Sequence, residues 1–481
     1  MLISKIPKRI IMKLKIFSSI LALLVIVSAC NKSFLEKPQI GTFPEEEALK
    51  TEADLQKMLN GSYRLLVSDD NVNGRGDIRS LYGGRLQFIS DLLGDQANGI
   101  LYTEDNGEIF NRRTSIFGGY KNEFYTSIYY QINQVNKVLA RLDLATTAKD
   151  NIEGQAKFIR AISHFEMVRL FAQPWGFTAD NSHWGIPLRL ESTAIASDRA
   201  TVKQVYDAII ADLQDAETKL PDVATAGLPS RWAAKAFLAK VFFQQNNFAQ
   251  AFNYANQVVT SGKFTLDAQY NRRFNLNLST EGIFTIRNVI NNLAPGSHLR
   301  DRYRSDVNFG PGGKFHVTDL VFNAATAPGD ARAAWYTKNS NGYNQLNKYN
   351  RDFFDMPIVH YTEIVLIRAE AGAETGVAAN ITTAINDINS ILTRAYGGTS
   401  QNLAPTAPAG TVIATVRTQR ELELIGEGNR VQEIKRIGAR NGINIDRRGA
   451  SWRCNGLVLQ FPNGEQAANT NFIMNPEGGC N

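Results

Sequence analysis
The sequence predicts a mainly α-helical fold, in which a scaffold of tetratricopeptide-like helix pairs carries a large irregular, loop-rich region. Three observations lead there. Apolar residues recur at three- and four-residue steps over several segments, as on one face of a helix. Residues 231–259 carry the spacing of a two-helix repeat unit. Two long Gly- and Asn-rich stretches, Ser68 to Tyr120 and Phe264 to Tyr349, interrupt the helical pattern. At 481 residues and 43% hydrophobic the chain is globular, and it is long enough for more than one lobe.

The elements follow in chain order. Lys5, Lys8, Arg9, Lys13 and Lys15 precede an apolar run from Ile16 to Val27, too short to anchor in a bilayer. That pattern is a secretory leader over residues 1–29. Its end, Val27-Ser28-Ala29-Cys30, looks like a bacterial lipobox, in which the Cys30 thiol is acylated and becomes the new N-terminus. Met12 offers a second start. Residues 30–44, with Pro38 and Pro44 and no apolar periodicity, read as a tether. Phe124 to Leu144 reads as a helix, and Phe158, Ala161, Ile162, Phe165, Val168 and Ala172 form a stripe ending before Pro174. Thr201-Val202-Lys203-Gln204 has the form of a capping box. Val202, Val205, Tyr206, Ile209, Leu213, Ala216 and Leu220 then share one face until Pro221 stops the helix. In the repeat unit, Leu238, Ala239, Phe242, Ala251, Ala255 and Val258 stand at the packing positions, with Asn246-Asn247-Phe248 as the turn. Ile358 to Gly372 and Ile381 to Arg394 continue the helical pattern, and Ala404 to Gly410 is a loop before the next helix.

Charge and cysteine content change meaning with position. The formal charge of +6 includes five cationic residues in the leader. What remains carries 47 Lys and Arg against 46 Asp and Glu, leaving no basic footprint for nucleic acid. Of three cysteines, Cys30 goes to lipid, so Cys454 and Cys480 read as one disulfide of an exported chain. Closing that loop is worth roughly 3–4 kcal/mol in the chain-entropy model.

Catalytic and cofactor motifs are missing from the sequence: no HExxH, GxSxG, Walker A or Rossmann glycine pattern occurs. Gly310-Pro311-Gly312-Gly313-Lys314 lacks the spacing of a phosphate loop, and the five histidines lack ligand spacing. Asp69, Asn71 and Asn73 with Gly74 resemble the opening of a calcium loop, but position 12 is Ser80, so any such site is weak. Asp91 and Asp95, at i and i+4, belong on one helix face. They keep a carboxylate glycosidase open as a minor alternative.

Read together, several blocks resemble the SusD/RagB family. They are Gly154-Gln155-Ala156-Lys157-Phe158-Ile159-Arg160-Ala161 with Trp184-Gly185-Ile186-Pro187-Leu188, and Tyr361-Thr362-Glu363-Ile364-Val365-Leu366-Ile367-Arg368-Ala369-Glu370-Ala371. Arg417 through Arg436, with Arg420-Glu421-Leu422, Glu427-Gly428 and Asn429-Arg430, is a third, and Phe461-Pro462 with Asn475-Pro476-Glu477-Gly478 closes the series. His360 and Val431-Gln432-Glu433-Ile434 depart from the family pattern within the scaffold. The resemblance implies an N-terminal region over 45–225 and a C-terminal region over 226–481, with the irregular insertion at 264–349. It implies an outward-facing outer-membrane lipoprotein that captures an oligosaccharide, or in some members a peptide. Such a protein acts as a lid on a SusC/RagA-type TonB-dependent transporter, without catalysis or cofactor. Glu421, Glu427 and Arg430 are expected in scaffold ion pairs.

Ligand positions do not transfer with the shared motifs. The candidates therefore come from the aromatics of the irregular stretches and their charged neighbours: Tyr82, Arg85, Asp91, Tyr102, Tyr120, Trp335, Tyr336 and Tyr343. An aromatic face stacks on a sugar ring while charged and amide groups fix its orientation. Of the aromatics in the two stretches, Tyr82, Tyr102, Phe110, Phe117 and Tyr120 in the first and Tyr303, Phe309, Trp335, Tyr336 and Tyr343 in the second, two or three are expected to be exposed.

Overall fold
The structure is a computed structural model that describes residues 49–68, 80–98, 104–225, 227–277, 279–288, 295–306 and 315–480. Cys30, the leader, the tether, the candidate calcium residues Asp69, Asn71 and Asn73, and Tyr102 lie outside the described residues. The chain divides into a unit of residues 1–54 and a unit of residues 55–481, and every strand and every helix that begins after residue 55 belongs to the second. No helix among the described residues is long and apolar enough to cross a membrane.

Helices α1 (Glu52–Val67), α2 (Arg85–Leu93), α3 (Glu104–Phe110), α4 (Gly119–Ala140) and α5 (Lys149–Phe171) come first. Next come α6 (Val202–Lys219), α7 (Arg231–Gln244), α8 (Phe248–Val259), α9 (Ser297–Tyr303) and α10 (Asp319–Ala325). The last are α11 (Tyr361–Glu374), α12 (Ala378–Tyr396), α13 (Ala409–Glu423), α14 (Arg430–Asn441) and α15 (Asn463–Ala468). Six short strands pair antiparallel in three separate ribbons: β1 (Trp184–Pro187) with β2 (Arg199–Thr201), β3 (Gly282–Ile286) with β6 (Met356–His360), and β4 (Tyr336–Lys338) with β5 (Asn344–Leu346).

The scaffold is a row. Helix α4 packs on α5, α5 on α6, α6 on α7, α7 on α8, α8 on α11, and α11 on both α12 and α13. Each junction reflects a local sequence feature. The capping box at α6 is complete, with Thr201 Oγ1 accepting from Gln204 N (3.2 Å) and Gln204 Oε1 accepting from Thr201 N (2.9 Å). The whole stripe from Val202 to Leu220 is buried. In the repeat unit, Asn246 takes a positive φ of 57° and Asn247 caps α8 by accepting from Gln250 N. Phe242 stacks on Tyr254 with ring centroids 5.6 Å apart. Gly372 lets α11 approach both α12 and α8, since a Cβ there would meet Asn380 O at 2.9 Å and the Phe252 ring at 3.0 Å.

Helices α2, α3, α9 and α10 lie within the stretches read as irregular, and two elements of the helical row also differ from the sequence reading. Helix α5 is buried nearly all round, with Ile159, Met167 and Leu170 inside as well as the stripe, because α4 covers one side and α6 the other. Phe158 meets Phe237 and Phe284 edge-on at 5.5 and 5.2 Å. The segment expected to be helical from Ile358 begins as β6, because Ile358 to His360 lie in the ribbon with β3. His360 then turns the chain into α11 by accepting from Glu363 N through its side chain.

The irregular insertion is clamped to this row by buried charge. Arg394 of α12 donates to Glu281 (2.7 Å) and Glu423 (2.9 Å), and Arg332 reaches both Asp330 (2.7 Å) and Glu423 (3.4 Å). Arg273 sits against Glu281 and Glu423 at 3.3 and 3.4 Å. Lys348 and His360 share Glu427, at 2.6 and 2.8 Å. Burial alone would raise the Glu281 carboxyl, yet Arg273 and Arg394 outweigh it and hold the group at about 2. For Glu423 burial likewise opposes ionisation, and Arg394, Arg332 and Arg273 depress its pKa all the same. Glu421 and Arg430 are also in ion pairs, with Arg447 and Asp95 respectively.

Candidate functional site
The two irregular stretches meet in space. Ser68 bridges Pro295, Ala97 bridges Val317, and Leu299 N donates to Gly83 O. At this junction Arg85 and Tyr120 from the first stretch join His298 and Arg302 of α9. The Arg85 guanidinium lies 3.9 Å over the Tyr120 ring and donates to Tyr120 O at 2.8 Å. The Tyr120 hydroxyl shares a 2.6 Å hydrogen bond with His298 Nε2.

Most of the sequence candidates are interior, which corrects their reading as a ligand surface. Tyr82 is buried and donates to Glu166 Oε1 (3.0 Å). Arg85 is buried beneath Tyr120. Asp91 is buried and accepts from Tyr303 OH (2.7 Å) and Gly428 N (3.1 Å). Trp335 packs edge-on to Tyr270, and Tyr336 to Phe322, both buried. Tyr120 and Tyr343 are half-buried, Tyr343 stacked on His316 at 4.9 Å. The physical reason is size: the stretches are large enough to bury aromatics against one another and against the scaffold, as Phe88 does on Tyr303 and Tyr303 on Phe315 and Tyr349. Composition reads the same whether a ring faces in or out. Among the described aromatics of the two stretches, Phe117 alone is largely exposed, at 74%. Asp95 lies past the end of α2 and forms a two-point ion pair with Arg430 (2.6 and 2.8 Å), so the two aspartates do not work as a pair on one helix face.

Burial pushes the Asp91 carboxyl up to about 7, against the opposing pull of Tyr303, Gly428 and Lys348. Its folded pKa lies above the unfolded value, so its contribution to stability is complete below about 4 and is lost as pH rises through 7. Asp91→Asn should therefore flatten the fall in melting temperature between pH 4 and 7, which a pH series of thermal melts would check.

Phe117 lines an open cleft of about 560 Å³ among the described residues. One wall is the loop from Arg113 to Phe117. The others come from Asn455 to Gln460 and from the tail, Asn475 to Gly479. The loop is held from behind. Arg112, at φ 57°, is buried with its guanidinium on both oxygens of Asp446 (2.8 and 2.7 Å) and on the carbonyls of Leu93 and Gly94. Glu108 accepts from Ser115 N (2.9 Å), and Thr114 Oγ1 accepts from Gln460 N (2.8 Å). Gly456 is required here, since a Cβ would come within 2.0 Å of Arg112 O.

The tail wall is equally fixed. Gln460 and Asn475 exchange hydrogen bonds at 2.9 and 3.0 Å, and the Asn475 amide donates to Phe171 O and Leu459 O. Cys454 and Cys480 are joined, their Cα atoms 5.1 Å apart. The result is a groove of mixed polar and apolar lining with one exposed aromatic face and two charged groups, Arg113 and Glu477. Glu477 is the one carboxylate among the described lining residues. Sequence reading named Phe117 among the aromatics but did not single it out. The cysteine pair was the signal that the tail forms a wall. No group of three or more His, Cys, Asp or Glu suited to a metal ion occurs among the described residues.

Comparison with known proteins gives a consistent result. A family model described as starch-binding associating with outer membrane matches residues 36–243, and the SusD family model matches residues 323–475. SusD-like protein P2 of Formosa agariphila is 25% identical over 95% of this chain and 98% of its own length. SusD-like protein P25 of the same organism is 23% identical over 51% of this chain and 46% of its own. A SusD superfamily crystal structure from Bacteroides thetaiotaomicron superposes with a TM-score of 0.74 at 19% identity, covering 89% of this chain and all of that one. Surface glycan-binding protein A from Bacteroides uniformis superposes with a TM-score of 0.70 at 19% identity, covering 88% and 99%.

Proposed function
This chain belongs to the SusD family, and from that premise we propose that it is a non-catalytic surface lipoprotein that binds an oligosaccharide in the Phe117 cleft. Cys30 carries the lipid that holds it to the outer membrane. The bound glycan passes to a SusC/RagA-type TonB-dependent barrel, over which the protein sits as a lid.

The observation that carries the binding reading is the exposed Phe117 ring beside a groove of fixed amide and charged groups. An apolar ring face stacks on the C–H face of a sugar, and directional polar groups select its hydroxyls. Hydrolysis of a glycosidic bond generally needs two carboxyl groups flanking it, and the described lining offers one.

Titration calorimetry against glycan fractions and peptide pools tests this. A glycan fraction should bind, and Phe117→Ala should weaken it roughly fivefold to tenfold at unchanged melting temperature. Equal affinity in the variant would remove the cleft from the proposal. Binding of peptides alone would reassign the ligand, and sustained glycan cleavage would refute the non-catalytic reading. Detergent extraction should recover the protein with a large barrel, and consistent isolation alone would count against the lid.

A further inference from the structure
A second concavity, about 370 Å³ in volume, opens beside the start of α7. It shares no lining residue with the Phe117 cleft. The loop between α6 and α7 forms its mouth, and β3 forms its floor. Trp232, half-buried in the first turn of α7, stands in one wall with its indole fixed: Nε1 donates to Asp222 Oδ1 at 2.9 Å. Lys263 pairs with the other oxygen of Asp222 at 2.7 Å. Arg287 and Asp355 line it as well, paired at 3.3 Å, and backbone amides of Asn277 and Asn288 hold the Asp355 carboxylate.

Three polar atoms of the lining residues are left over. Thr285 Oγ1 and Arg273 Nε and Nη1 are buried with no hydrogen-bond partner among the described residues, Nη1 keeping only an ion contact to Glu427 at 3.6 Å, and Arg273 is 2% exposed. Buried polar atoms are nearly always satisfied, so an orphan beside a cavity marks where a partner is missing.

The chemistry of the lining selects the class of ligand. Each cation at the cavity mouth is matched by a carboxylate, so a charged ligand would have to break an existing pair. A neutral molecule with many hydroxyls can instead donate to Asp222 and Asp355 and accept from Lys263 and Arg287 without disturbing either. The Trp232 ring, which has Lys235 Nζ and Lys263 Nζ 5.5 and 5.8 Å from its centroid, supplies the apolar side of the same ligand. The volume lies at the small end of the range for ligand pockets.

We propose that this cavity is a second carbohydrate site, sized for one or two sugar rings, with Trp232 as its stacking wall. The ligand class rests on the reading of the chain as a glycan binder, while the location does not depend on the Phe117 cleft.

Saturation-transfer NMR of the full chain with a panel of free hexoses, pentoses and disaccharides tests it. At least one sugar should give a signal that survives Phe117→Ala and falls by about tenfold in apparent affinity in Trp232→Ala. Thr225→Trp, at an exposed position of the mouth, should occlude the cavity to the same effect and decides the matter should Trp232→Ala not fold. A signal lost only in Phe117→Ala would overturn the second site and leave the cleft standing. A signal indifferent to both Trp232→Ala and Thr225→Trp would overturn it too, as would silence from the whole panel. Loss in these two variants with no effect of Phe117→Ala on any glycan would keep the cavity and discard the cleft.

Discussion

Glu423→Ala should lower the unfolding free energy by about 3–5 kcal/mol, the usual loss when one partner of a buried ion pair is removed. Glu423 is wholly buried, and its carboxylate faces Arg273, Arg332 and Arg394 while accepting from Tyr270 OH at 2.8 Å. Alanine would leave three guanidiniums with too little negative charge in a dry interior. Glu423→Gln keeps the shape and one acceptor but loses the charge, so most of the loss should persist. Urea titration of both variants measures this, and a change below about 1 kcal/mol would show that the cluster relaxes through its other acids. The pH dependence has a definite sign. Glu281 and Glu423 have folded pKa values below their unfolded ones, so their stabilisation is present above about 4.3 and is lost as pH falls toward 2. Acid unfolding should begin in that window, in the opposite sense to the Asp91 effect at higher pH.

Arg112→Ala is the second large effect. It should cost a further several kcal/mol in its own right, because Asp446 would be left buried without its cation. It should also weaken glycan binding more than Phe117→Ala does, because Arg112 makes the buried ion pair among the contacts that tie the cleft loop to the body of the protein. Asp446→Asn retains an acceptor for one guanidinium nitrogen and for Ala450 N, so its cost should be smaller. Melting temperatures and calorimetric titration of the two variants give the order. An Arg112→Ala protein that binds with native affinity would show that the loop holds its place without the ion pair.

The scaffold was legible because it obeys short-range rules. The capping box, the stripe of α6 and the Asn turn of the repeat unit each depend on residues within four positions of one another. The two-sided burial of α5 was not legible, since it depends on neighbours contributed by separate parts of the chain. The same holds for the charged cluster: Arg273, Arg332, Arg394 and Glu423 are spread over 151 residues, and spacing carries no sign that they meet. Candidate-site reading failed where it used residue type as a proxy for exposure. Tyr82, Trp335 and Tyr336 belong to the interior of loop-rich stretches, and Phe117, of the same chemical kind and similar surroundings in sequence, is the one turned outward among their described aromatics.

The α8–α11 contact has a consequence for how the chain reaches its fold. Most junctions in the helical row join consecutive segments and can form early and locally. This one joins helices separated by the segment from Thr260 to His360, about a hundred residues. Closing a flexible loop of that length costs on the order of 4 kcal/mol of entropy before the contact repays it. The two parts of the row should therefore assemble independently, and their union should be the slow step of refolding. A replacement for the intervening segment would have to bring its ends back to the same two helices and also supply partners for Arg394, Glu423 and Glu427.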